Sequence, residues 1–159
     1  MRATTGEPNS FFRKGGGWVI GQSLLLTGVL AAGPLARGTG PPWIFAGGCL
    51  LFVLAGAIGI AGVLHLDRNR TPFPAPRPNS QLVTKGIYGW IRHPLYTCLV
   101  LAALGWAGIF FSKAALASSL PLAIFLFAKS RVEERFLMGA FPDYAAYRKR
   151  VCGFIPGIV

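Results

Sequence analysis

"PWIFAGGCLLFVLAGAIGIAGVLHL", residues 42–66, is the stretch that decides the fold class of this chain. It contains no Asp, Glu, Lys or Arg, and it is long enough to cross a bilayer, whose core of about 30 Å needs about 20 helical residues. Across the whole chain, hydrophobic residues make up 53%, charged residues 13%, and the mean hydropathy is +0.52. These values lie outside the usual range of soluble domains, so the sequence predicts an integral membrane protein.

Three more apolar runs flank this stretch. Two of them are short and are separated only by "SK", which predicts an antiparallel helical hairpin. We therefore expect an all-α polytopic membrane protein with about four transmembrane helices. Glycines within 42–66 permit close contact between helices. The predicted spans are residues 18–35, 42–66, 95–111 and 114–128, and the glycines are Gly47, Gly48, Gly56, Gly59 and Gly62.

The chain is strongly basic, with 16 Lys and Arg against 5 Asp and Glu and a net charge of +11. These cations flank apolar segments and do not form a stripe with interleaved aromatics, which argues against nucleic acid and for anionic lipid headgroups. All of them except Arg37 and Lys113 fall in the N-terminal tail, in the 67–94 loop or after residue 128. The positive-inside rule then predicts that both termini are cytoplasmic.

Cysteine and histidine usage gives no indication of a metal site. Cys49, Cys98 and Cys152 show no CxxC spacing, and His65 and His93 are the only histidines. The sequence therefore predicts neither a disulfide framework nor a bound metal.

Polar residues border both arms of the predicted hairpin. "GWIRHPLYTC", residues 89–98, leads into the first arm, and Glu133 and Glu134 follow the second. In an antiparallel hairpin these clusters return to one level, so we expect Arg92 and His93 to face the two glutamates in a polar pocket near the cytosolic headgroups. Two simpler interpretations stay open: an arginine that binds lipid phosphate, and a solvated helix with internal ion pairs.

From about residue 71 to residue 156 the chain resembles the isoprenylcysteine carboxyl methyltransferase and phospholipid methyltransferase family. The resemblance is carried by "TPFPAPRPNSQLVTKGIYGWIRHPLY", "EER" and "FPDYAAYRKRVCGFIP", in that order. It implies methyl transfer from S-adenosylmethionine, which leaves S-adenosylhomocysteine, to a lipophilic acceptor in the membrane. That acceptor is an isoprenylcysteine carboxylate or another lipid acid, amine or thiol.

The resemblance also implies a role for individual residues. His93 is the catalytic candidate, because an amine or thiol acceptor needs a base and a carboxylate acceptor does not. Lys129 and Arg131 match the region where the family has a basic residue near the acceptor. The implied cofactor-binding residues are Gln81, Leu82, Val83, Tyr88, His93, Pro94, Leu95, Tyr96, Glu133 and Glu134.

The expected organisation is one integral membrane domain over residues 1–159. Residues 18–66 form two N-terminal spans, and residues 67–159 form the cofactor-binding loop, the hairpin and a C-terminal cytoplasmic segment. The expected partners are the lipophilic acceptor and membrane lipids, with no nucleic acid and no metal. The alternatives are an NADPH-dependent membrane reductase of related architecture and a small membrane protein without enzymatic activity.

Overall fold

The computed structural model describes residues 10–154 and confirms the all-α fold class. The one β feature in that range is a single bridge between Ile91 and Cys152. Short 3-10 turns at Asp67–Asn69 and Gly86–Gly89 lie in the long loop. The helices are α1 (Ser10–Arg13), α2 (Gly16–Leu35), α3 (Pro42–Leu66), α4 (Pro94–Ile109), α5 (Lys113–Ala140) and α6 (Tyr144–Arg150).

Among the described residues, α2, α3 and α5 are long and apolar enough to cross a membrane. Their large apolar side chains point outward: Leu24, Val53 and Leu64 are each about 70% exposed. Extended apolar surfaces of this kind mark contact with lipid, so the chain is a polytopic membrane protein. Helix α4 is apolar but has only 16 residues, about 24 Å of helix. A fourth crossing by α4 stays a prediction.

Helix α3 has the predicted bounds, and α5 continues past the fourth predicted apolar run. That run ends at residue 128, and α5 ends at Ala140. The helix continues because residues 129–138 contain neither Gly nor Pro and are rich in Lys, Arg and Glu, which favour helix. The extension carries Glu133 and Glu134 on the same rigid helix that crosses the membrane.

The predicted hairpin is present, and a serine fixes its turn. Ser112 caps the first turn of α5, where its hydroxyl accepts a hydrogen bond of 3.1 Å from the amide of Ala115. The same hydroxyl donates 2.8 Å to the carbonyl oxygen of Ala32 at the end of α2. One side chain thus ends the turn between α4 and α5 and ties it to the first long helix.

Glycines bring the backbones of α3 and α4 into direct contact. A methyl group built on Gly48 would lie 2.7 Å from the backbone nitrogen of Ile109, and one on Gly105 would lie 2.7 Å from the carbonyl oxygen of Gly48. The predicted packing role is confirmed for Gly48. It is wrong for Gly47 and Gly56, which face open space with nothing within 4 Å.

The long loop and the segment after α6 meet at the start of α4. The amide of Arg92 donates 2.8 Å to the carbonyl of Cys152, and the amide of His93 donates 3.0 Å to the carbonyl of Gly153. Farther back in the loop, the ring of Phe73 contacts that of Phe11 with centroids 5.5 Å apart. The chain therefore folds the loop back over the end of the helix bundle where the polar residues lie.

Cysteine labelling tests the predicted orientation. Lys85 in the long loop and Lys113 in the hairpin turn are both exposed. In a variant without the native cysteines, we expect Lys113→Cys to react with an impermeant maleimide applied outside intact cells. Lys85→Cys should react only after the cells are opened. The reverse pattern would invert the topology and remove cytoplasmic access to the polar pocket.

Candidate functional site

His93 and Pro94 form the beginning of α4. Proline is suited to the first helical position because its missing amide hydrogen has no partner there anyway. His93 is therefore the N-cap residue, and its backbone is tied to Gly153, as described above. Its ring stacks on Tyr96 at a centroid distance of 5.5 Å and an interplanar angle of 10°. The histidine is 5% exposed, so its orientation is fixed by packing on several sides.

Glu134 is the centre of a buried ion-pair network. Its Oε1 lies 3.1 Å from a terminal nitrogen of Arg92 and 3.2 Å from Nε2 of His93. Its Oε2 lies 3.1 Å from Nε of Arg148, on α6. Both side chains of the Arg92–Glu134 pair are less than 10% exposed. A buried charge needs such partners, because an unpaired carboxylate would be costly to remove from water.

Arg92 extends this network to the backbone of the C-terminal segment. A terminal nitrogen of Arg92 donates to the carbonyls of Arg148 and Val151, at 2.6 Å each. Together with Glu134, these bonds join the start of α4, the charged part of α5 and the end of α6. Arg92 of the "RHP" sequence therefore connects three structural elements. These contacts explain why an arginine stands at this position without the interpretation that it binds lipid phosphate.

Glu133 has a different environment, although it is adjacent in sequence. Consecutive residues on an α-helix point about 100° apart, so the two carboxylates diverge. The hydroxyl of Tyr96 donates 2.7 Å to Oε2 of Glu133, and Nδ1 of His93 lies 3.8 Å from the same oxygen. The Glu133 side chain is 27% exposed, against 4% for Glu134. Glu133 can therefore accept further hydrogen bonds, whereas Glu134 is enclosed.

A cavity lies next to Glu133. The centres of water-sized molecules can occupy about 220 Å³ of it. It lies between the long loop and the facing ends of α2, α4 and α5. Most of the predicted site residues line it, but Glu134 and Arg131 do not. Those two line a second cavity on the opposite side of the ion-pair network. The predicted residues in the first cavity are Gln81, Leu82, Val83, Tyr88, His93, Pro94, Leu95, Tyr96, Lys129 and Glu133.

Two hydrogen bonds hold the loop over this cavity. The hydroxyl of Tyr147 donates 2.6 Å to the carbonyl oxygen of Tyr88, and the side-chain oxygen of Asn69 accepts 3.0 Å from the amide of Gln81. Burial raises the pKa of Tyr147 to about 12, so its hydroxyl keeps the donated proton at physiological pH. Both ends of the cavity-lining part of the loop are thus anchored.

Lys129 is a buried cation at the side of the cavity that lies deeper in the helix bundle. Its ammonium group donates 2.7 Å to the side-chain oxygen of Gln22 and 3.1 Å to the carbonyl of Pro72. It also lies 5.5 Å from the ring centroid of Tyr96, within range of a cation–π contact. Lys129 therefore links α2, the loop and α5 around the cavity.

The sequence prediction missed several cavity residues, among them Gln22, Tyr144 and Tyr147. Gln22 is the one amide side chain in α2, and an amide inside an apolar span was a usable signal. Tyr144 and Tyr147 are three residues apart on α6, on one face of the helix. Within residues 10–154, no three His, Cys, Asp or Glu side chains are grouped closely enough to hold a metal ion.

Comparison with known families identifies the family of this chain. A family model described as phospholipid methyltransferase matches residues 43–143, which is more than half of the chain. The chain belongs to the phospholipid methyltransferase family. This match confirms the predicted family resemblance. It covers the long loop, the start of α4, Glu133 and Glu134.

Curated relatives match part of the chain. A cobalt-zinc-cadmium resistance protein of Cupriavidus metallidurans is 43% identical over 81 residues, which cover 50% of this chain and 38% of that protein. A nickel-cobalt-cadmium resistance protein of Alcaligenes xylosoxydans xylosoxydans is 37% identical over 82 residues, with the same two coverages. A protein-S-isoprenylcysteine O-methyltransferase of Schizosaccharomyces pombe is 42% identical over 79 residues, covering 47% of this chain and 33% of the relative. These matches span only a third or slightly more of each relative's length.

The two glutamates should differ in their effect on stability. Glu134→Gln leaves Arg92 buried without its carboxylate, and breaking such a pair costs about 3 kcal/mol or more. We expect the melting temperature in detergent, followed by tryptophan fluorescence, to fall by at least about 5 °C. Glu133→Gln, the matched control, should change it by less than about 2 °C. Equal shifts in the two variants would contradict the separate environments assigned to them.

Proposed function

We propose that this chain transfers a methyl group from S-adenosylmethionine to a lipophilic acceptor dissolved in the membrane. One observation carries the proposal: the 81–83 segment, Tyr88, the start of α4 and Glu133 line a single cavity. Membership of the phospholipid methyltransferase family supports methyl transfer as the reaction class. With the predicted orientation, this cavity would open toward the cytoplasm, where the cofactor is available.

The residues around the cavity fit this cofactor. Glu133 receives a hydrogen bond from Tyr96 but keeps free lone pairs, which suit the ammonium group or the ribose hydroxyls of the cofactor. The aromatic ring of Tyr88, which lines the cavity, favours a cation such as a sulfonium. When bound, S-adenosylmethionine would supply an already activated methyl group. The protein then needs mainly to hold the acceptor in line and to exclude water.

His93 is suited to accept a proton from an amine or thiol acceptor. The two arginines beside Glu134 favour the ionised form of the Glu134 carboxylate, which can only accept hydrogen bonds. Nε2 of His93 must then be the donor in its 3.2 Å contact with Glu134. In the neutral ring this arrangement leaves the lone pair on Nδ1. The carboxylate thus fixes the tautomer that a general base needs.

The acceptor would lie across the polar and apolar parts of the same cavity. Leu66, Leu95 and Leu99 supply an apolar wall, and Lys129 supplies a cation at its deeper side. Of the two predicted acceptor-binding residues, Lys129 keeps that proposed role, since Arg131 lines the other cavity. The name of the Schizosaccharomyces pombe relative suggests a prenylated carboxylate as one acceptor to test, beside lipid amines and thiols.

Cofactor binding tests the proposal without an acceptor. We expect calorimetric titration of the purified protein with S-adenosylhomocysteine to give saturable binding. Glu133→Gln should weaken it about tenfold to a hundredfold, because a charge-assisted hydrogen bond contributes about 1.5 to 3 kcal/mol. Arg135→Gln, at an exposed position on the same helix, should leave the affinity unchanged. An unmodified protein that does not bind S-adenosylhomocysteine would overturn the proposed function.

Methyl transfer tests the role of His93. Membranes that contain the chain should transfer labelled methyl from S-adenosylmethionine to material extracted by organic solvent. His93→Ala should lower this transfer by at least about tenfold, within the range for loss of an acid–base group. Retention of S-adenosylhomocysteine binding in this variant would separate catalysis from unfolding. Full transfer by the variant would exclude His93 from the reaction.

A further inference from the structure

A second cavity, of about 290 Å³ on the same measure, lies between α5, α6 and the segment that follows α6. Its wall combines basic and apolar side chains with a single carboxylate. None of the predicted functions uses this cavity. Its lining residues are Arg92, Phe127, Ser130, Arg131, Glu134, Met138, Ala145, Arg148, Lys149, Gly153 and Phe154.

The ion-pair network separates the two cavities. His93 lines the first cavity and Glu134 lines the second, so their 3.2 Å contact forms part of the wall between them. Arg92 is the one residue that lines both. A ligand in the second cavity would therefore be a different molecule from the cofactor and acceptor proposed for the first.

The charge of the second cavity favours an anionic ligand. Four of its lining side chains are cations, and Glu134 is its one anion. Arg92 and Arg148 both pair with Glu134. In the described part of the chain, neither Arg131 nor Lys149 has an ion pair with a carboxylate. Two positive charges at this cavity thus have no carboxylate partner, which favours the binding of an anion.

The apolar part of this wall favours an anion that carries an acyl chain. Phe127 and Met138 are 47% and 41% exposed, next to the unpaired cations. The guanidinium of Arg131 lies 4.7 Å from the ring centroid of Phe127, a stacking contact that orients the arginine. Phe127 and Arg131 lie where the apolar run of α5 gives way to its charged extension. An inorganic anion would satisfy the cations but would leave the apolar surface uncovered.

We propose that the second cavity binds the phosphate group of an acidic membrane phospholipid. Arg131 and Lys149 supply the charge that meets the phosphate, and Phe127, on the membrane side of Arg131, contacts the beginning of an acyl chain. Such a site would fix the charged ends of α5 and α6 at the headgroup level of the bilayer, next to the network that shapes the first cavity. This role is independent of whether the first cavity transfers methyl groups.

Native mass spectrometry of the purified protein tests this site with defined lipids. The unmodified protein should retain phosphatidylglycerol in clear preference to phosphatidylcholine. The double variant Arg131→Gln and Lys149→Gln should retain at least about tenfold less phosphatidylglycerol, since each cation near an acidic lipid strengthens binding severalfold. The control Arg135→Gln and Arg150→Gln removes the same charge from the same two helices outside the cavity. It should lose less than about twofold.

Three results would overturn the proposal. The first is an unmodified protein that shows no preference for phosphatidylglycerol. The second is an equal loss in both double variants, which would indicate attraction by net charge alone. The third is displacement of phosphatidylglycerol by millimolar inorganic phosphate, which would assign the cavity to a soluble anion.

Discussion

The buried carboxylate of Glu134 is the constraint on which the rest of this end of the molecule depends. Arg92 and His93 at the start of α4 and Arg148 on α6 all converge on it, so Glu134 joins two distant parts of the chain to α5. The chain has only five acidic residues against sixteen basic ones, so a single carboxylate compensates several cations here. This explains why a strongly polar "RHP" sequence directly precedes an apolar helix. It meets its partner on the facing helix at the edge of the membrane.

Two adjacent glutamates serve different purposes because an α-helix turns by about 100° per residue. Glu134 is directed into the ion-pair network, and Glu133 is directed into the first cavity, where Tyr96 donates to it. The proposed chemistry uses both. Glu134 fixes the His93 ring and its tautomer, while Glu133 keeps the lone pairs that a cationic cofactor requires. The carboxylate of the ion-pair network and the carboxylate proposed to bind the cofactor are therefore neighbours in sequence that point in different directions.

The hydrophobicity pattern predicted the fold class and the bounds of α3. The position of Pro94 predicted the start of α4. The antiparallel hairpin also brought "RHP" and the glutamate pair to one level, as expected from connection length. The sequence did not show in which direction each side chain on α5 points. Glu134 and Arg131 were therefore expected in the first cavity, but they line the second one. Gln22 was missed because its role depends on α2 packing beside Lys129, a contact 107 residues apart in the chain.

A crystal structure of the protein with S-adenosylhomocysteine would show which of the two glutamates contacts the ligand. We expect the ligand in the first cavity, with Glu133 within hydrogen-bond distance of its ammonium group or ribose hydroxyls, and Glu134 still paired to Arg92. Density for the ligand in the second cavity, or a direct contact with Glu134 in place of the arginine, would contradict it.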